Sequence, residues 1–171
     1  AFEQKLDPSV REEIVVQSAR ILGVRGVTGN RERKGRHIEA GELSALMRAC
    51  AEDNLHTCTR DSAVIGLAWA TGMRRAELAS LSIMDIVPTG ENEYDVIIHG
   101  KGDKTRKVFI CDGAAHLISD WIMIRGQELG PLFYAIASGG RIQTGHGIGT
   151  EALAQMLARR VEQAGVSSMM W

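Results

Sequence analysis

Arg74, Arg75 and Glu77 stand together at the end of an apolar run, in AVIGLAWATGMRRAELASL. Arg74 and Glu77 are three residues apart, so a helix beginning here puts them on one face. A carboxylate one turn from an arginine holds the guanidinium fork while leaving parallel donors for an oxyanion such as phosphate. The same spacing also describes an ordinary surface pair, contributing about 0.2–0.5 kcal/mol. Arg75 fits either a second phosphate contact or a surface charge.

A second concentration of charge is HGKGDKTRK, with Lys101, Lys104, Arg106 and Lys107 against the single acid Asp103. Its glycines allow a tight turn, and a lysine on a short turn can reach into a groove with a charge or a proton for a phosphate oxygen. A basic tip that serves solubility alone has the same composition. A nucleotide-binding Walker loop is excluded, because the glycine-to-lysine spacing is wrong and no helix follows. The third concentration, NRERKGRH, carries Arg31, Arg33, Lys34 and Arg36 against Glu32. It reads as a linker, either solvated or lying along phosphate.

These groups need elements to hold them. PSVREEIVVQSARIL has a helical apolar period. In EAGELSALMRACAED, Leu43, Leu46, Met47 and Cys50 share a helical face. TRDSAVIGLAWATGM reads as a buried helix with Thr59 as its N-cap, Asp61 in its first turn and Gly72 at its end. RRAELASL is a short helix with Leu78 and Leu81 facing inward. DIVPTGEN reads as a turn. EYDVIIHG and KTRKVFI alternate apolar and polar residues, with Tyr94, Val96 and Ile98 on one and Val108 and Ile110 on the other, and form a hairpin. GAAHLISDWIMIRG returns to helix, GPLFYAIASGGRI is a loop with a buried aromatic anchor, and TEALAQMLARRVEQAG is a helix with Thr150 as N-cap and Gly165 as stop. The expected fold is α+β and mostly helical, with helices packed around a small antiparallel hairpin.

Bulk properties leave the partner to local features. A net charge of −1 over 171 residues advertises no anionic partner, so any nucleic-acid surface must arise by clustering. The apolar runs fall short of the roughly 20 residues that span a bilayer, so no membrane partner is expected. AFEQKLDPSVREE has no signal core, and the expected compartment is the cytoplasm. Three cysteines without a C-x-x-C pair argue against a disulfide framework. Cys50, His56 and Cys58 match no common zinc spacing.

In combination the motifs are far more specific. ATGMRRAELASLSIMDI, then a hairpin carrying GKGDKTRKVFI, then a helix and GPLF, resembles the catalytic domain of tyrosine recombinases of the phage-integrase type, from about Lys34 to Val166. The resemblance implies double-stranded DNA as partner, other integrase protomers or a homo-oligomer as assembly, and no metal or cofactor. It also implies a mechanism. A tyrosine attacks the scissile phosphate to form a 3′-phosphotyrosyl link, and two arginines stabilise the non-bridging oxygens. A hairpin lysine protonates the leaving 5′ oxygen. Arg74 matches the first arginine, Glu77 its supporting acid and Lys101 the lysine. The basic residues Arg31, Arg33, Lys34, Arg36, Arg75, Lys104, Arg106 and Lys107 become candidate DNA contacts. Residues 1–30 become the end of a helical core-binding domain, 31–37 a basic interdomain linker, and 38–171 a partial catalytic domain.

The family pattern continues with an H-x-x-R box and the nucleophilic tyrosine. None of the five histidines here has an arginine three residues later, and SSMMW departs from the pattern. Tyr94 belongs to a strand and Tyr134 comes too early. The expectation is a catalytically incomplete fragment, or alternatively a non-catalytic remnant that binds DNA or docks on integrase.

Overall fold

The computed structural model describes residues 38–100, 102 and 104–166. The stretch 1–37, with Arg31, Arg33, Lys34 and Arg36, lies outside the described residues, as does Lys101.

Helix α1 (Ala40–Ala51) buries Leu43, Leu46, Met47 and Cys50, the face that the period predicts. Helix α2 (Leu55–Thr71) is the hub, buried on all sides from Ala63 to Ala68. Its N-cap is Asn54, not Thr59: the Asn54 side chain accepts from Thr57 N–H at 3.1 Å. Thr59 lies a turn inside, where its hydroxyl donates back to the Leu55 carbonyl at 2.8 Å. Asp61 is fully buried rather than a first-turn dipole partner. Gly72, at φ 62°, ends the helix as expected.

Helix α3 (Arg75–Ser80) follows, then a 3₁₀ turn (Ile83–Asp85) and an antiparallel sheet of β1 (Ile86–Gly90), β2 (Glu93–His99) and β3 (Thr105–Ile110), in that order. The β2–β3 hairpin is the expected one. Strand β1 is a correction, since it occupies the stretch expected to be a turn. Ile86 pairs with Val96 and Pro88 with Tyr94, and a bulge follows before Gly90. Pro88 is tolerated because β1 is an edge strand. Ile86, Val96, Ile98 and Ile110 are buried, and the alternate residues Thr105, Lys107 and Phe109 are exposed.

Helix α4 (Asp112–Arg125) packs on α2 through Ala114, Ala115, Leu117, Ile118 and Trp121. The segment after it is not a plain loop: β4 (Tyr134–Ile136) and β5 (Ile142–Gly147) form a second, two-stranded ladder. Strands this short, one of them glycine-containing, carry no alternating pattern to read. Phe133 and Tyr134 are the buried aromatic anchor expected there. Buried Arg125 gathers the chain that follows it, donating to the carbonyls of Gly126, Glu128, Pro131 and Leu132 at 2.7–3.2 Å. Burial holds its pKa below the usual arginine value.

Helix α5 (Thr150–Gln163) is capped by Gly149, with Thr150 as its first residue rather than its cap, and Gly165 follows at φ 63°. Its inner face packs on α1 and α3. There Arg160, completely buried, donates to Asp61 from Nε and Nη2 at 2.9 and 2.7 Å and to the Ala49 carbonyl and Asp53. Asp61 also accepts two bonds from Arg60 at 2.9 and 2.7 Å. The last helix is thereby tied to the hub by ions, which require such hydrogen-bonded partners when buried. Among the described residues no helix is long and apolar enough to cross a membrane.

Candidate active site

The arginine motif begins where Gly72 turns the chain out of α2. Arg74 is the N-cap of α3, with extended backbone (φ −73°, ψ 152°), and Glu77 is the third residue of the helix. The Arg74 N–H donates to Glu77 Oε2 at 2.9 Å, and Arg74 Nη1 donates to Oε1 at 3.1 Å. This is the pairing that the three-residue spacing implies. Leu78 and Leu81, both buried as expected, anchor the motif from below.

A second arginine completes the arrangement. Arg106, on β3, donates Nη1 to Glu77 Oε1 at 3.0 Å and Nη2 to Oε2 at 2.8 Å, a parallel fork on a carboxylate only 6% exposed. The Arg106 hydrogen bonds hold the Glu77 carboxyl at about 2, well below the usual range; the bond from the Arg74 backbone adds to this and burial opposes it. The same bonds raise the Arg106 pKa. No spacing rule joins residues 77 and 106, so the sequence carried no signal for this contact.

The hairpin neck lies against the same carboxylate. The Gly100 N–H donates to the Lys104 carbonyl at 2.7 Å. A side-chain carbon on residue 100 would fall 3.2 Å from that carbonyl and 3.7 Å from Glu77 Oε1. Glycine therefore permits the close approach of the neck, and Gly102, at φ 77°, shapes the tip. At the base, His99 Nε2 pairs with Asp85 Oδ1 at 3.1 Å, and Asp85 Oδ2 accepts from Ser82 N–H at 2.8 Å. This clasp of the hairpin to the 3₁₀ turn also lacked a sequence signal.

The other candidate residues separate by position. Arg75 and Lys104 are exposed. Lys107 points to the outer face of the sheet, where Nζ pairs with Asp95 at 2.9 Å. Tyr134 is completely buried, and Tyr94 is half-buried on β2. At the far end of β2, a polar hollow of about 210 Å³ is lined by Glu91, Asn92, Glu93, Cys111, Asp112 and His116. Among the described residues no group of three or more His, Cys, Asp or Glu is arranged to hold a metal ion.

An arginine-capped helix, a basic hairpin held to it and a helical hub are the parts of a tyrosine-recombinase catalytic-domain fold. The chain belongs to the phage integrase family, whose model matches residues 36–170, and is a tyrosine recombinase by family. It is similar to tyrosine recombinase XerC of Vibrio cholerae serotype O1, 33% identical over 105 residues, or 60% of this chain and 32% of that one. XerC of Corynebacterium efficiens is 32% identical over 128 residues, covering 74% of this chain and 39% of the relative. Among solved structures, the XerH site-specific recombinase bound to difH substrate in a pre-cleavage complex superposes with a TM-score of 0.59 at 25% identity, over 77% of this chain and 37% of that one. The chain thus spans roughly a third of the length of these relatives.

Proposed function

We propose that this chain supplies the phosphate-gripping half of a site-specific recombinase active site, acting on double-stranded DNA. The observation that carries the reading is the junction at Glu77, where the Arg74 and Arg106 guanidiniums and the neck of the Lys101 hairpin meet on one buried carboxylate. The side chain of Arg74 is 71% exposed and bonds Glu77 through one terminal nitrogen only. Its remaining donors are free to meet the non-bridging oxygens as negative charge develops there, and preorganised cations commonly supply the largest rate term. Lys101 delivers a proton to the leaving 5′ oxygen. Arg75 and Lys104, with Arg31, Arg33, Lys34 and Arg36 in an interdomain linker at 31–37, add backbone contacts that position without reading sequence. Residues 1–30 belong to a core-binding domain and 38–171 to the catalytic domain.

The 171 residues by themselves bind DNA and do not cut it. Neither tyrosine suits the nucleophile, Tyr134 being fully buried and Tyr94 set in the sheet, and no H-x-x-R box is present. Two measurements test this. On a nicked suicide duplex carrying the recombination site native to this chain, no covalent protein–DNA adduct should form, and its appearance sinks the inactivity. In a salt titration, duplex affinity should be weak and fall steeply with ionic strength. Undetectable binding at low salt sinks the DNA-binding reading.

A further inference from the structure

We propose that Arg106 acts inward, as a positioning residue that keeps Arg74 available for phosphate, and is not itself a DNA contact. The inference rests on the reading of Arg74 as a phosphate ligand.

Strand parity is the first reason. Arg106 lies opposite Ile98 in the β2–β3 ladder, on the face that buries Ile98 and Ile110. Lys107 and Thr105 point the other way, to the exposed face. Consecutive basic residues on β3 therefore cannot line one phosphate track from one face.

Saturation is the second. A carboxylate offers about four acceptor positions. Oε1 takes Arg74 Nη1 and Arg106 Nη1; Oε2 takes the Arg74 backbone N–H and Arg106 Nη2. Arg106 commits both terminal nitrogens to this carboxylate, whereas Arg74 commits one.

Charge is the third. Two guanidiniums against one carboxylate leave the cluster one net positive charge, and Arg74 presents more of its side chain to solvent: it is 71% exposed and Arg106 40%. Without Arg106, Glu77 would face Arg74 alone. A buried carboxylate then draws the whole Arg74 fork onto itself and cancels its charge. Arg106 relieves that demand, so Arg74 is held at its base and open at its tip.

A double-mutant cycle separates this role from a direct contact, because a positioning effect vanishes when its target is gone. Duplex binding of the full chain is titrated with salt for the wild type, Arg74→Ala, Arg106→Gln and the double variant. Each single variant should flatten the slope of log K against log salt by about one phosphate contact, and the double should flatten it no further. A double variant that loses about two contacts overturns the proposal, since Arg106 would then be touching phosphate itself. A purely structural loss would persist in the Arg74→Ala background and also overturns it.

The second arm needs no DNA. The Arg74 side-chain Nε–H resonance should move in Arg106→Gln and return part of the way in Arg106→Lys, which keeps the charge without the fork. An unmoved resonance overturns the proposal. If the wild-type chain binds no duplex at any salt, the proposed function falls, and the resonance alone decides the role of Arg106.

Discussion

Arg106 places its two terminal nitrogens on the two oxygens of Glu77, 29 residues earlier in the chain, at 3.0 and 2.8 Å. The pair joins the sheet that carries the lysine hairpin to the helix that carries Arg74. It also makes the protein's stability depend on acid in a defined direction. A carboxyl held near 2 contributes stability that is fully present above the ordinary carboxylate range and lost as pH falls toward 2. Glu77→Gln should cost on the order of 2–3 kcal/mol at neutral pH, because two arginines lose their counter-charge. The gap between wild type and variant should then close between about pH 4.5 and 2. Urea unfolding across that range reads it out, and a gap independent of pH contradicts the assignment.

The Asp61–Arg160 pair is the deepest electrostatic commitment in the fold, with both side chains at zero exposure. Asp61 also serves Arg60 and Arg159. Asp61→Ala leaves buried Arg160 with the partly exposed Asp53 as its remaining acid, and should destabilise by about 3–5 kcal/mol. Chemical denaturation measures it. A loss under about 1 kcal/mol would mean that water enters and solvates the arginine.

Thiol chemistry should sort the three cysteines. Burial pushes the Cys50 and Cys58 thiols up to about 12, so almost no thiolate exists near neutrality. Cys111 is partly exposed, with its own pKa raised by burial and by Asp112. An alkylating reagent at pH 8 should modify Cys111 slowly in the native state, and Cys50 and Cys58 only after unfolding. Peptide mass mapping distinguishes the sites, and early labelling of Cys50 would show that the α1–α2 contact opens.

Capping gives a smaller effect. Asn54→Ala removes the acceptor of the Thr57 N–H and should cost about 1 kcal/mol, seen as a lower urea midpoint. An unchanged midpoint would mean that α2 starts elsewhere.

Much of this architecture was legible in the residues. Helices α1 and α2 follow from their apolar periods, Gly72 marks the exit from the hub, and the β2–β3 hairpin follows from Tyr94, Val96 and Ile98 alternating beside a glycine-rich turn. The Arg74–Glu77 pair was legible for the same reason: both residues lie within one helical turn, where spacing along the chain is spacing in space. Strand β1 was hidden by its proline, and β4–β5 by brevity and glycine. The start of α2 was misplaced because Thr59 is a residue type that suits a cap, whereas in the folded chain its hydroxyl turns back to the Leu55 carbonyl and Asn54 takes the Thr57 N–H.

The sequence alone thus determined most of the local elements and the pairing of Arg74 with Glu77, since those rest on short-range geometry. Which charge neutralises which was decided by the tertiary structure. Glu77 meets Arg106, and Asp61 meets Arg160, only because packing of the apolar faces brings distant segments together and excludes the water that would otherwise satisfy each ion separately.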